Sequence, residues 1–171
     1  MNLINWKILT RLAILLAAIA LTTAGCGTTK PRPVAWNVSI TKATPASIEV
    51  DLVGVNPSEK PYWMNSVKPD DYWKANSSTR QNAKKVSTSF KDGQTWCLNK
   101  SDPIWKVWFS YGSTELMIMA NLPGKFPNDA FDRRRLFLSL GKKEWKPAKK
   151  ETIEVEVQDE FIRVLTPQNL R

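Results

Sequence analysis

Strict alternation of apolar and polar side chains begins at Trp36. Trp36, Val38 and Ile40 are separated by Asn37 and Ser39, and Ile48, Val50 and Leu52 by Glu49 and Asp51. A period of two marks strands that bury one face, and Thr44-Pro45-Ala46 is the turn expected between them. The alternation returns in Ile153, Val155 and Val157, interleaved with Glu154 and Glu156, and a short run at 161–165 follows. Residues 104–109, 116–122 and 136–140 are more continuously apolar, divided by Tyr111-Gly112-Ser113 and Leu122-Pro123-Gly124, and suit central strands. Residues 86–91 and 95–99, joined through Asp92-Gly93, predict a tight hairpin, because Asp-Gly readily adopts the positive backbone angles of such a turn. Many short strands with regular turn signals predict an all-β fold, an antiparallel β-sandwich of about eight to nine strands over residues 35–171.

Three-to-four spacing is absent from every long segment, so the pattern predicts one short helix at most. Pro69-Asp70-Asp71 supplies it, with proline at a first helical position and two acids behind. The adjacent carboxylates would diverge by about 100° on a helix, which suits a helix start better than two acids flanking one bond. This turn lies inside an irregular insertion at 56–84, too rich in aromatics for a disordered loop. Tyr62, Trp63, Tyr72, Trp73 and Arg80 are its candidate binding residues. The two Tyr-Trp pairs fit either of two uses. One is a stacking platform for a sugar or a protein, and the other is a satellite core plugging one end of the sandwich.

The N-terminal residues follow another pattern. Lys7 and Arg11 lead into an apolar run of 13 residues, Leu12 to Ala24, with no acid before Cys26. That order is a signal peptide's, and the run is shorter than the roughly 20 residues a transmembrane helix needs. It closes on Thr23-Ala24-Gly25-Cys26, which resembles the lipobox of bacterial lipoproteins. The resemblance implies a cleaved signal helix at 1–25, cut between Gly25 and Cys26. It also implies a covalent diacylglycerol and N-acyl lipid on the Cys26 thiol and amine. Two or more acyl chains hold firmly where one is marginal. Gly27, in place of aspartate, implies sorting to the periplasmic face of the outer membrane. Residues 26–34 form a tether, kept extended by Pro31 and Pro33.

Composition narrows the function classes. The chain has no histidine, which removes Ser-His-Asp and Cys-His triads and the common zinc sites; no enzyme, metal or further cofactor is expected. Cys26 is committed to lipid, leaving Cys97 without an intramolecular partner, read as a small residue partly covered by its Trp neighbours. Losing residues 1–25 takes Lys7 and Arg11 away, so the net charge falls from +9 to +7. In an export compartment that charge implies anionic lipid, lipopolysaccharide or peptidoglycan and excludes nucleic acid. Basic clusters lie at Arg133-Arg134-Arg135 and at Lys142, Lys143, Lys146, Lys149 and Lys150 around Trp145. The lysines are candidates to face a membrane surface, or else to solubilise a loop and blunt strand edges. The expected role is a non-catalytic interaction module tethered to a membrane, with an envelope protein as partner. By its architecture it resembles accessory lipoproteins of secretion and assembly machines. Peptidoglycan or another carbohydrate, bound by the insertion's aromatics, is the alternative.

Overall fold

The computed structural model describes residues 32–43, 47–90, 93–147 and 151–169. The signal segment, Gly25, Cys26, the Thr44-Pro45-Ala46 turn, Lys149 and Lys150 lie outside them.

Among the described residues, eight strands form two four-stranded sheets. The strands are β1 (Asn37–Lys42), β2 (Ile48–Val55), β3 (Lys85–Phe90), β4 (Thr95–Leu98), β5 (Glu115–Ala120), β6 (Arg135–Ser139), β7 (Thr152–Val157) and β8 (Ile162–Val164). One sheet runs β4-β1-β7-β8 and the other β3-β2-β5-β6. Pairings are antiparallel except β1 with β7, which run parallel with Asn37 opposite Thr152 and Lys42 opposite Val157. The alternating residues of both sheets meet in one interior: Val38 and Ile40, Val50 and Leu52, Leu116 and Ile118, Ile153 and Val155 are all buried there.

Two sequence expectations fail. Residues 104–109 are not a strand but part of helix α4 (Ile104–Ser110), whose buried Trp105 and Trp108 stand one helical turn apart. The start signal is the Asp102-Pro103 pair, with the Asp102 carboxylate accepting the Ile104 N–H at 2.9 Å. Trp108 lies against Gly54 so closely that a Cβ there would sit 2.3 Å from the indole ring. The expected hairpin also fails, because β3 pairs with β2 while β4 pairs with β1 in the other sheet. Gly93 does take the positive φ expected, +67°, but the reversal crosses from layer to layer.

The insertion contains three helical turns instead of one: α1, a π-helical turn (Tyr62–Ser66), α2 (Pro69–Tyr72) and α3 (Ser78–Asn82). Pro69 opens α2 with Asp70 and Asp71 in its first turn, as expected.

Strand direction gives the sandwich two poles. The described chain begins at one, where Pro33 bridges Gly141 and the Val34 N–H donates to Leu140 O at 2.9 Å. The strand ends at Lys42, Ile48, Phe90 and Thr95 and the connections at 121–134 and 158–161 lie at the other.

Candidate functional site

On the outer face of β3-β2-β5-β6, a second core gathers Val53, Val55, Met117 and Met119 from the strands with Trp63, Val67 and Tyr72 from the insertion. The satellite core therefore exists, but it covers a sheet face and does not plug an end. Tyr62, Trp63, Tyr72 and Trp73 form a chain of edge-to-face contacts with centroids 5.4–6.2 Å apart. Trp63 and Tyr72 are buried, Tyr72 at the Asp51 carboxylate and Trp63 with an edge on a cleft beside α4. Trp73 is half-buried, and Tyr62 stays exposed.

The cover is fastened by charge. Asp51, fully buried, accepts from the Tyr72 hydroxyl at 3.0 Å and from Arg80 Nε at 2.8 Å. Arg80 also reaches Glu49 at 3.2 Å and stacks on the Trp73 ring. Arg80, a binding candidate from sequence, is thus occupied within the protein. Burial, together with the neighbouring Asp51 carboxylate, drives the Tyr72 hydroxyl pKa far above its ordinary value. Arg135 donates to four carbonyl oxygens, those of Trp63, Val67, Met64 and Asp129, at 2.5–2.8 Å. A cation there fits the unpaired carbonyls at the end of a helical turn. Arg134 clasps Asp132 in a fork and bonds Asp70 at 2.5 Å. Burial alone would raise the Asp132 pKa, but the Arg134 hydrogen bonds and charge outweigh it and hold the carboxyl below the usual value. Two members of the Arg133–Arg135 cluster are therefore buried fasteners, and Arg133 alone of the three is exposed.

Two surfaces remain open. A cleft of about 240 Å³ lies between the insertion and α4, with Trp63 and Trp108 among its lining residues and Glu59, Lys84 and the exposed Tyr62 and Tyr111 around it. Sequence reading missed Tyr111; its place in a Tyr-Gly turn beside an apolar run was the available signal. At the pole opposite the tether, Phe131 is 86% exposed. Its loop is stiffly made: Asn128 adopts φ 56°, the Phe131 N–H donates to the Asp129 carboxylate at 2.8 Å, and Asp129 O is held by Arg135. Phe131 borders a hollow of about 470 Å³ shared with Arg133, Phe161 and Ile162.

The lysine run divides similarly. Lys142, Lys143 and Lys146 are exposed. Trp145 is buried, its indole N–H donating to Ser139 O at 2.7 Å, so it belongs to the core and not to a membrane surface. Cys97 lies exposed on edge strand β4, opposite Ser39, with less cover than its Trp neighbours suggested. Among the described residues no cluster of His, Cys, Asp and Glu could hold a metal ion.

No family model matches this chain, and no curated protein matches it in sequence. Solved structures match in fold. The T6SS protein TssM C-terminal domain (869–1107) from EAEC gives a TM-score of 0.51 at 13% identity, over 76% of this chain and 99% of that chain. A type VI membrane complex gives 0.50 at 14% identity, over 78% and 99%. The T6SS lipoprotein TssJ1 from Pseudomonas aeruginosa gives 0.44 at 9% identity, over 81% and 100%.

Proposed function

We propose that this protein is a non-catalytic, lipid-anchored accessory of an envelope secretion machine. Acyl chains on Cys26 hold it to the periplasmic face of the outer membrane, and its sandwich engages a protein partner. The observation that carries the reading is a fold shared over 99% of a type VI membrane-complex chain. The lipobox-like Thr23-Ala24-Gly25-Cys26, one short tether upstream of the sandwich, accords with it. No helix among the described residues is long and apolar enough to cross a membrane, and attachment through Cys26 needs none.

The partner-facing surface in this reading is the pole opposite the tether. A rigid, exposed aromatic beside a hollow has the form of an interface anchor, since such residues carry a disproportionate share of binding energy. Phe131 on its braced loop meets that description. Cross-linked pull-down from membranes should recover a specific envelope protein with the wild type and lose it with Cys26→Ser. Phe131→Asp should cut recovery about tenfold or more, an interface anchor's loss, with circular dichroism unchanged. Recovery of no specific protein from the anchored form counts against the reading, as does an unmodified N-terminal peptide by mass spectrometry.

The cleft flanked by Tyr62 and Tyr111 favours a second reading, a carbohydrate module, because its volume suits one ring-sized ligand. Loss of sedimentation with purified sacculi in Tyr62→Ala and Tyr111→Ala is expected only there.

A further inference from the structure

The +7 charge left after the signal is not spread evenly. Arg32, Lys100, Lys142, Lys143 and Lys146 collect at the tether pole, all exposed, against the half-buried Asp102, Glu144 and Glu151. Lys100 and Lys142 both approach Glu151, at 2.8 and 3.6 Å. The opposite pole shows no such excess, with exposed Lys125 and Arg133 against the three exposed acids Asp129, Asp159 and Glu160.

The lysines sit on a braced turn. Gly141, bridged to Pro33, leads directly into the 3-10 turn Lys142–Glu144. Trp145 is anchored in the core on its far side. From the C-terminal segment, Asn169 N–H donates to Glu144 O at 2.9 Å and its side-chain amide to Lys143 O, while Pro167 O accepts the Lys146 N–H at 2.9 Å. A floppy loop would lose entropy on settling against a surface, whereas this one is already ordered.

Reach decides what surface it meets. From Cys26 to Pro33 the chain advances seven residues, at most about 25 Å when fully extended. Strands of six residues put the opposite pole roughly 20 Å further away, about two Debye lengths at 0.1 M salt.

We infer that Lys142, Lys143 and Lys146, with Arg32 beside the tether, rest on anionic phospholipid headgroups and fix the sandwich upright on the bilayer, presenting the opposite pole away from it. The inference depends on the Cys26 lipid anchor proposed above. The anchor sets distance, and the basic turn sets orientation. Near an anionic surface each lysine is worth roughly a fivefold gain in partitioning, which salt screens away.

The test reconstitutes the lipidated protein into vesicles of phosphatidylcholine alone or with a third phosphatidylglycerol, and follows acetylation of individual lysines by mass spectrometry. In phosphatidylglycerol vesicles at low salt, Lys142, Lys143 and Lys146 should react several-fold more slowly than in phosphatidylcholine. Lys125 should react equally in both, and 0.5 M NaCl should abolish the difference. Lys142→Glu/Lys143→Glu/Lys146→Glu should float with vesicles as the wild type does, while Lys100, at the same pole and slowed in the wild type on phosphatidylglycerol, reacts equally in both lipids. Even reactivity across both lipids, in a protein whose N-terminal peptide carries acyl mass, overturns the orientation and leaves the anchor standing. A protein without acyl mass that does not float overturns the anchor, and the orientation with it.

Discussion

The sheet β4-β1-β7-β8 keeps solvent on its outer face, whereas β3-β2-β5-β6 has its central strands buried on both. Along β7 buried residues alternate with half-buried ones, Ile153, Val155 and Val157 inward and Glu154 and Glu156 outward. Along β5 the five residues from Leu116 to Ala120 are all buried, because Met117 and Met119 face the insertion. The first sheet needs no polar fasteners outside, since water satisfies its outer groups. The second encloses Asp51, Asp132, Arg134 and Arg135, each of which must find a partner inside the protein. Covering a sheet thus stabilises by apolar burial and creates a vulnerability at every buried charge.

Five predictions bear on that contrast. Asp51→Ala should have the largest effect, leaving Arg80 and the Tyr72 hydroxyl without their acceptor, and should cost about 3–5 kcal/mol in urea unfolding. A loss below 1 kcal/mol would mean the fasteners do not hold the cover. Arg135→Met keeps the volume and removes donors from four carbonyls, at about 1–3 kcal/mol. Tryptophan fluorescence should report it as loosening around Trp63.

Titration should also report on the covered face. The Asp132 pKa is depressed in the fold, so its contribution is present above the ordinary carboxylate value of 3.8 and is lost as pH falls below it. The Tyr72 pKa is raised, so stability holds below the ordinary value of 10.0 and falls above it, where only the unfolded chain ionises. Tyr72→Phe should flatten that alkaline limb. An alkaline limb unchanged by this substitution would refute the assignment. The smallest effect belongs to the solvated sheet: Thr41→Ala removes the exposed hydroxyl contact with Thr95 at 3.1 Å and should change stability by no more than about 0.5 kcal/mol.

The strands most plainly legible from sequence were those with one wet face, although the continuously apolar runs at 116–122 and 136–140 also read as strands and form β5 and β6. β1 and β7 alternate because water and core impose opposite demands on successive side chains, and that demand is local. In β2 the alternation stops after Asp51, where Leu52-Val53-Gly54-Val55 runs apolar, and this break signalled a second buried face. Which segment supplies the cover was not legible, since Trp63 and Tyr72 have the same composition whether they bind a ligand or a sheet. The helix at 104–110 was misread for a related reason. Seven residues with Trp105 and Trp108 buried satisfy helical spacing and tolerate a strand reading, and the capping Asp102 decides between them.

From its own residues the chain determined the sandwich, the helix opening at Pro69 and the absence of histidine chemistry. Those follow from short-range rules: strand period, turn angles, capping and side-chain inventory. Tertiary structure alone decided that β1 and β7 run parallel, that β3 and β4 part into different sheets, and that Arg80, Arg134 and Arg135 serve as internal fasteners. It also decided that Lys142, Lys143 and Lys146 share a pole with Pro33. Each depends on residues far apart in sequence arriving side by side, and neither periodicity nor charge count carries that information.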